Sequence, residues 1–483
     1  MNKKMHTVYQ EIGLQNLIDS ICNGDTFIIH QKICDKVKTK AEIFKSQTEF
    51  SDFLNDNANL LNTLYENIAS FYSISSIYNG TVNDFKKATN FILYSQKYCQ
   101  IIELVINNFT KFSYQSDLIK NFYNDLLTIF NNETFKQFFL ETQKASDALN
   151  KILVFQIDYS NNKINQLTET KSSIRRKMEN LLDQLQIPYS AMGYVAGNFN
   201  DFLDIQKLKK VYTNEFKIIE NFYKRYYKFS FYNFKNIYQN LQFYLQMKHF
   251  FISISNYNIP YFRAHINEQR IIELETMYDI SLINRVEKII PNDFKIDQND
   301  PKIIIIAGAN SGGKTSFIRA ITINLLLFNA VGYVFAEYAN LPIFSEIIAI
   351  FNTYSISNKA ISFCKLEEEL KNCDDNSIII FNELFSELDE DKALEIFKRM
   401  FPTFYQTNKI FIMVTHCLDI INYLKEYKFL QFSPQIDKKN NYNRTYVIQK
   451  NLDNYNTFVE SILQKYGLLR EQLFNDLVGE KNE

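Results

Sequence analysis

The residues Gly308-Ala309-Asn310-Ser311-Gly312-Gly313-Lys314-Thr315 are the types that bind phosphate, at the spacing that does it. They fit G-x-x-x-x-G-K-[ST], the P-loop pattern. Gly308, Gly312 and Gly313 let the backbone come close to an anion, and the amides of Asn310, Ser311 and Ser316 are placed to donate to it. Lys314 would reach the outer phosphates, and the hydroxyl of Thr315 would ligate Mg²⁺. Glycine is scarce, 11 in 483 residues, so a match that places three of them within eight positions is specific.

Hydrolysis requires a second polar site facing the phosphates. Asn382-Glu383 follows the apolar run Ser377 to Phe381, and Thr415-His416 follows Lys409 to Val414. In parallel sheets ligands bind beyond the carboxyl ends of the strands, so Glu383 is a candidate to hold the attacking water and His416 to sense the γ-phosphate. Each has a plainer explanation: an acid at a helix N-terminus, and a histidine in a surface loop.

These positions need a sheet to carry them. Ile303 to Ile306, bounded by Pro301 and Gly308, predicts a strand buried on both faces, and Ser316 to Phe328 a buried helix. Strands are also expected at 271–274, after Ile289-Ile290-Pro291, at 332–334 and at 346–351, with a crossover helix over 391–401. Residues 1–270 instead show apolar residues at helical spacing with few glycines or prolines. Helices are expected at 14–21, 52–73, 83–108, 116–130, 133–150 and 161–186, then a bend at Pro188 and Gly193 to Gly197. The expected fold is α + α/β, with a helical region over 1–270 and an α/β domain over 271–483. Between 200 and 256 the lysines from Lys207 to Lys235 alternate with aromatics. Either they form a nucleic-acid groove, or the aromatics are core and the lysines solvated.

Composition narrows the class. Lys+Arg 53 against Asp+Glu 54 leaves a net charge of −1, so no global field draws the chain to nucleic acid or an anionic membrane. The six cysteines show no C-x-x-C pair and no zinc-like histidine spacing. No apolar run is long enough to span a bilayer, and the start lacks a signal-peptide pattern. A cytoplasmic protein with no membrane partner is expected.

The chain resembles the MutS family, whose ATPase belongs to the ABC class of P-loop proteins. The family loop Gly-Pro-Asn-x-Gly-Gly-Lys-Ser/Thr differs from Gly308 to Thr315 only by alanine for proline. Gly332-Tyr333-Val334-Phe335-Ala336-Glu337 resembles the family's G-x-x-V-P-A-E, Val414-Thr415-His416 its A-T-H, and Tyr466-Gly467-Leu468 the end of its ATPase domain. Ile290 to Asp293 resembles the segment bordering adenine, which implies Ile289 and Asn292 as base contacts. The resemblance implies ATP and Mg²⁺ as cofactors, Glu383, His416 and Lys314 as catalytic residues, and a homodimer formed through the ATPase domains. It also implies core and lever helices that control binding of DNA.

Three departures qualify this. Asn382 replaces the Walker B aspartate, which removes a charge from the Mg²⁺ surroundings and keeps an oxygen. The family's glycine-bearing loop after that acid is here Leu384 to Leu388. The signature Ser-x-Phe-x-x-Glu, which contacts the partner subunit's ATP, survives as Ser362-Phe363 with Glu367 out of register. These departures leave open a nucleotide-binding switch with little hydrolysis that engages a protein partner; a P-loop kinase or GTPase fits less well. With core-like helices beginning near residue 10, no mismatch-reading or connector domain is expected, and no clamp beyond the bend near 186–200.

Overall fold

The computed structural model describes residues 9, 11–22, 26–34, 39–54, 58–79, 84–109, 117–153, 155–160, 163–169, 209–210, 212–308, 312–351, 359–405, 407–437 and 443–451. In chain order the helices and strands begin with α1 (Leu14–Ile21), α2 (Phe27–Cys34), α3 (Lys40–Leu54), α4 (Ala58–Asn79), α5 (Asp84–Phe109), α6 (Asp117–Phe130) and α7 (Glu133–Leu153). The hairpin β1 (Phe155–Ser160) and β2 (Lys163–Glu169) follows, then α8 (Thr213–Tyr226) and α9 (Lys235–Ser255). Next come β3 (Phe262–Arg263), β4 (His265–Asn267), β5 (Ile272–Met277), β6 (Asn292–Ile296), β7 (Ile303–Ile306) and α10 (Lys314–Val331). The chain continues through β8 (Tyr333–Val334), β9 (Tyr338–Pro342), β10 (Glu346–Ile350), α11 (Lys359–Asn372), β11 (Ser377–Asn382), α12 (Glu390–Met400) and α13 (Pro402–Tyr405). It ends with β12 (Ile410–Val414), α14 (Leu418–Leu424), β13 (Leu430–Asp437) and β14 (Asn443–Asn451).

These elements form two compact units, Met1–Phe50 with Gln246–Glu483, and Ser51–Leu245. The first is built on a six-stranded sheet in the order β10-β11-β12-β7-β13-β14. β10, β11, β12, β7 and β13 run parallel and β14 closes one edge antiparallel. Its central strands are continuous apolar runs because helices cover both faces. On one face Ile303, Ile305, Ile379, Phe381, Phe411 and Met413 pack against side chains of α11, α12 and α14. α10 lies against β11 and also meets β5, β8 and α2, which explains why it is buried around nearly its whole circumference. A smaller sheet, β4-β9-β5-β6, and the pair β3–β8 complete the unit. Gly332 ends α10 at φ 74°, and a Cβ there would fall 1.7 Å from Cγ of Gln47, so the close approach of α3 requires glycine. Gln47 uses that proximity to donate from Nε2 to the carbonyls of Ala264 (2.9 Å) and Gly332 (3.0 Å).

The second unit is helical with an aromatic core. Phe138 stacks on Phe229 with centroids 3.9 Å apart, and Tyr98 meets Phe231 edge-on at 5.0 Å. Phe216, Phe222, Tyr226 and Phe234 are buried there, while Lys210, Lys217, Lys224 and Lys228 are exposed. The aromatics of this segment are thus buried or half-buried, Tyr227 excepted, and the lysines described are on the surface; Lys207 is outside the described residues.

One expected helix is corrected. Residues 163–169, assigned to a helix over 161–186, form β2, paired antiparallel with β1. The alternation Phe155, Ile157, Tyr159 in β1 and the β-branched Ile164 and Thr168 in β2 give a period of two, and pairing decides between two weak local preferences. The remainder of that segment, the bend at Pro188 and Gly193 to Gly197, and Tyr466-Gly467-Leu468 lie outside the described residues. No described helix is long and apolar enough to cross a membrane.

Candidate functional site

Strand register brings the candidate residues together. Ile306 of β7 pairs with Val414 of β12, and Val414 with Asn382 of β11, so three strands end in one row. The glycine turn after β7, Glu383 after β11 and Thr415-His416 after β12 therefore emerge side by side.

The turn after β7 is shaped by two glycines in backbone regions L-residues avoid. Gly308 has φ 139°, and a Cβ there would lie 2.6 Å from Cδ of Pro434. Gly313 has φ 94° and begins α10. Lys314, 4% exposed, donates from Nζ to the carbonyl of Gly308 at 2.8 Å. Burial pushes its ammonium down to about 8, against the opposing pull of the Glu383 carboxylate. Thr315 donates from Oγ1 to Oδ1 of Asn382 at 3.3 Å, which leaves the hydroxyl lone pairs free. Asn382 in turn donates from Nδ2 to the carbonyl of Phe351 at 3.5 Å. Asn310 and Ser311 lie outside the described residues.

Glu383 has φ 52°, in the left-handed region. That conformation costs a glutamate on the order of 1 kcal/mol or more. Its N–H bonds the carbonyl of Val414 at 3.0 Å, which holds the strained turn in place. Nε2 of His416 lies 2.9 Å from Oε1 of Glu383. That bond and, secondarily, the charges of His416 and Lys314 draw the carboxyl below its ordinary range, so it is ionised at neutral pH and the imidazole N–H is the donor.

A cavity of about 610 Å³ is lined by Gly313, Lys314, Thr315, Ser316 and Glu383, but not by Asn382 or His416. Met277, Leu282, Val286 and Ile290 supply an apolar wall, and Asn292 and Tyr446 border it. Ile290, rather than its neighbour Ile289, is on that wall. Asn292 clips the β14 edge: its Nδ2 donates to the carbonyl of Tyr446 at 3.2 Å and its Oδ1 accepts from the N–H of Ile448 at 2.6 Å. Tyr446 sits at φ 60° beside Gly313. Sequence reasoning missed Tyr446, which reads locally as one more residue of an alternating strand. It also missed Asp279 on the same wall, whose signal is the cap pattern Asp279-Ile280-Ser281. Asp279 accepts from the N–H and hydroxyl of Ser281 and from Arg319, while its burial raises its carboxyl above the ordinary range.

Glu367 is committed within its own chain. It accepts from Lys371 at 2.8 Å and from Arg399 at 2.7 Å, and this pairing, Lys371 foremost, holds its carboxyl below the usual range.

The shifted lysine makes anion binding proton-linked. A phosphate beside Lys314 favours the ammonium, so ligand binding at a pH somewhat above 8 should take up a proton. Affinity should then weaken by up to about tenfold per pH unit as the pH rises above about 8. Titration calorimetry of ATP in two buffers of different ionisation enthalpy measures the uptake; identical apparent enthalpies would contradict it.

The molecule is thus an α + α/β protein whose polar side chains converge at the carboxyl ends of a largely parallel sheet, where such sheets take ligands. No family model matches the chain. A stretch of 100 residues, 20% of the chain, is 31% identical to the DNA mismatch repair protein MSH3 of Vanderwaltozyma polyspora and covers 10% of that protein. A 134-residue alignment, over 26% of the chain, is 26% identical to the DNA mismatch repair protein MutS of Streptococcus pyogenes serotype M5 and covers 15% of it. The chain thus matches only a small part of the length of these relatives.

Proposed function

We propose that this chain is a MutS-related P-loop ATPase, with an ATPase domain over 271–483 and a helical, lever-like region over 1–270. The observation that carries this reading is the meeting of Lys314, Thr315, Asn382, Glu383 and His416 at three aligned strand ends. ATP fits the cavity with its phosphates at the N-terminus of α10, where amides, helix dipole and the Lys314 ammonium converge. Its base lies toward the apolar wall and Tyr446. Thr315 and Asn382 offer two neutral oxygens, a donor set suited to Mg²⁺ held mainly by phosphates and water. Bound there, Mg²⁺ would neutralise charge on the β- and γ-phosphates. Glu383, ionised, accepts a proton from the water that attacks, and His416 orients Glu383 and is assigned to sense the γ-phosphate. As in MutS proteins, the ATP-bound chain is proposed to homodimerise through this domain, in the cytoplasm, and to control binding of DNA without mismatch specificity.

One substitution tests the Mg²⁺ arrangement. Asn382→Asp restores a charge beside Thr315 and should lower the Mg²⁺ concentration for half-maximal hydrolysis by about three- to tenfold, with kcat equal or higher. An unchanged Mg²⁺ dependence removes Asn382 from the metal's surroundings.

A second reading, a nucleotide-binding switch that engages a protein partner, is favoured by two observations. Asn382 is neutral, and Glu367 is engaged by Lys371 and Arg399. It predicts ATP-dependent dimerisation without measurable phosphate release.

A further inference from the structure

We infer that Glu11, in the segment leading into α1, is a positioning residue for the Mg²⁺ site: through the backbone of Phe351 it fixes which end of the Asn382 amide faces Thr315. The metal in this inference rests on the proposed function; the contacts stand without it. Oε2 of Glu11 accepts from the N–H of Phe351 at 3.3 Å, across 340 residues of sequence. The carbonyl of Phe351 accepts from Nδ2 of Asn382 at 3.5 Å, and Oδ1 of Asn382 accepts from Oγ1 of Thr315 at 3.3 Å. A continuous chain of contacts thus runs from Glu11 to Thr315, within one compact unit.

The chemistry of an amide explains why such a chain is needed. A carboxylate presents an oxygen to a cation whichever way it turns, whereas an amide has one oxygen and one NH₂ group, and the NH₂ turned inward would repel Mg²⁺. Thr315 cannot make the choice, because a hydroxyl both donates and accepts. Phe351 can, because a carbonyl only accepts: it holds Nδ2 and so turns Oδ1 toward Thr315. Asn382 therefore imposes on Phe351 a task that an aspartate at the same position would not.

Phe351 in turn needs an anchor. It directly follows β10, which among the described residues is the edge strand of the six-stranded sheet and pairs only with β11, up to Ile350 opposite Phe381. Backbone at a sheet edge has no neighbouring strand on its open side. Glu11 supplies a carboxylate oxygen to the Phe351 N–H, a stronger acceptor than a neutral carbonyl. Glu11 itself is placed by its sequence neighbours, since Tyr9, Ile12 and Leu14 are fully buried. Removing its carboxylate therefore costs the contact with Phe351 and leaves the packing of the segment in place.

The test is equilibrium binding of a fluorescent, non-hydrolysable ATP analogue to the full chain at varied Mg²⁺ concentration. Glu11→Ala should raise the Mg²⁺ concentration for half-maximal binding by about three- to tenfold and leave analogue affinity in EDTA within about twofold of wild type. Glu11→Gln, which keeps an oxygen for the Phe351 N–H, should restore most of the wild-type Mg²⁺ dependence. In an Asn382→Asp background, where no amide needs orienting, Glu11→Ala should shift that dependence by less than about 1.5-fold. A wild-type Mg²⁺ dependence in Glu11→Ala, an equal shift in both backgrounds, or an equal loss with and without Mg²⁺ would each overturn the positioning role and leave the ATPase reading standing. A wild-type chain that binds no analogue at millimolar concentration would sink the ATPase reading, and the positioning role with it.

Discussion

Glu383→Gln is expected to lower ATP turnover by about 10²–10³-fold and to leave ATP affinity within about threefold of wild type. The substitution keeps the shape and an acceptor for the His416 N–H, but removes the base. The geometry makes this a clean test, because Glu383 occupies a left-handed conformation fixed by its N–H bond to Val414 rather than by its carboxylate. His416 and Lys314 both favour the ionised carboxyl, the form a general base requires. Phosphate-release kinetics under saturating Mg-ATP measure the effect. Equal turnover in the variant removes Glu383 from the chemistry.

Lys314→Ala should act one step earlier, weakening ATP binding by about 10²–10³-fold, the loss of charge-assisted hydrogen bonds worth about 3–4 kcal/mol in a buried site. Lys314 is nearly inaccessible and aimed along the glycine turn by the carbonyl of Gly308. Its ammonium is costly to bury, and an arriving phosphate offsets that cost. Displacement of a fluorescent ATP analogue measures the loss; a change of less than about twofold would place the phosphates elsewhere. The two variants separate functions: one binds and fails to hydrolyse, the other fails to bind.

Much of the sheet is legible in the sequence because parallel strands buried on both faces leave an unmistakable mark. Ile303 to Ile306, Ile378 to Phe381 and Ile410 to Val414 are almost wholly apolar, and each is a strand. The polar pairs that follow them converge because register aligns the strand ends, and register follows from the same apolar runs. Tyr446 is not legible. It meets Asn292 across 154 residues of sequence, in a strand whose local pattern says nothing of the cavity. Gln47 against Gly332, 285 residues apart, likewise ties an N-terminal helix to the sheet's unit through a contact no periodicity announces. β2 misleads for the opposite reason: the mixed charges that suggest a solvated helix over 161–186 lie mostly beyond it, and only pairing with β1 reveals the period of two. The lysines and aromatics of α8 share one stretch of sequence, and burial alone separates them.

Glu383, His416 and Asn382 bear on hydrolysis, but each of these roles requires ATP at the N-terminus of α10. Calorimetric titration of Mg-ATP into the wild-type chain tests that most directly. Saturable binding of about one ATP per chain is expected, weakened when Lys314 is replaced by alanine. No binding at millimolar ATP, or binding of equal strength in that variant, would contradict it.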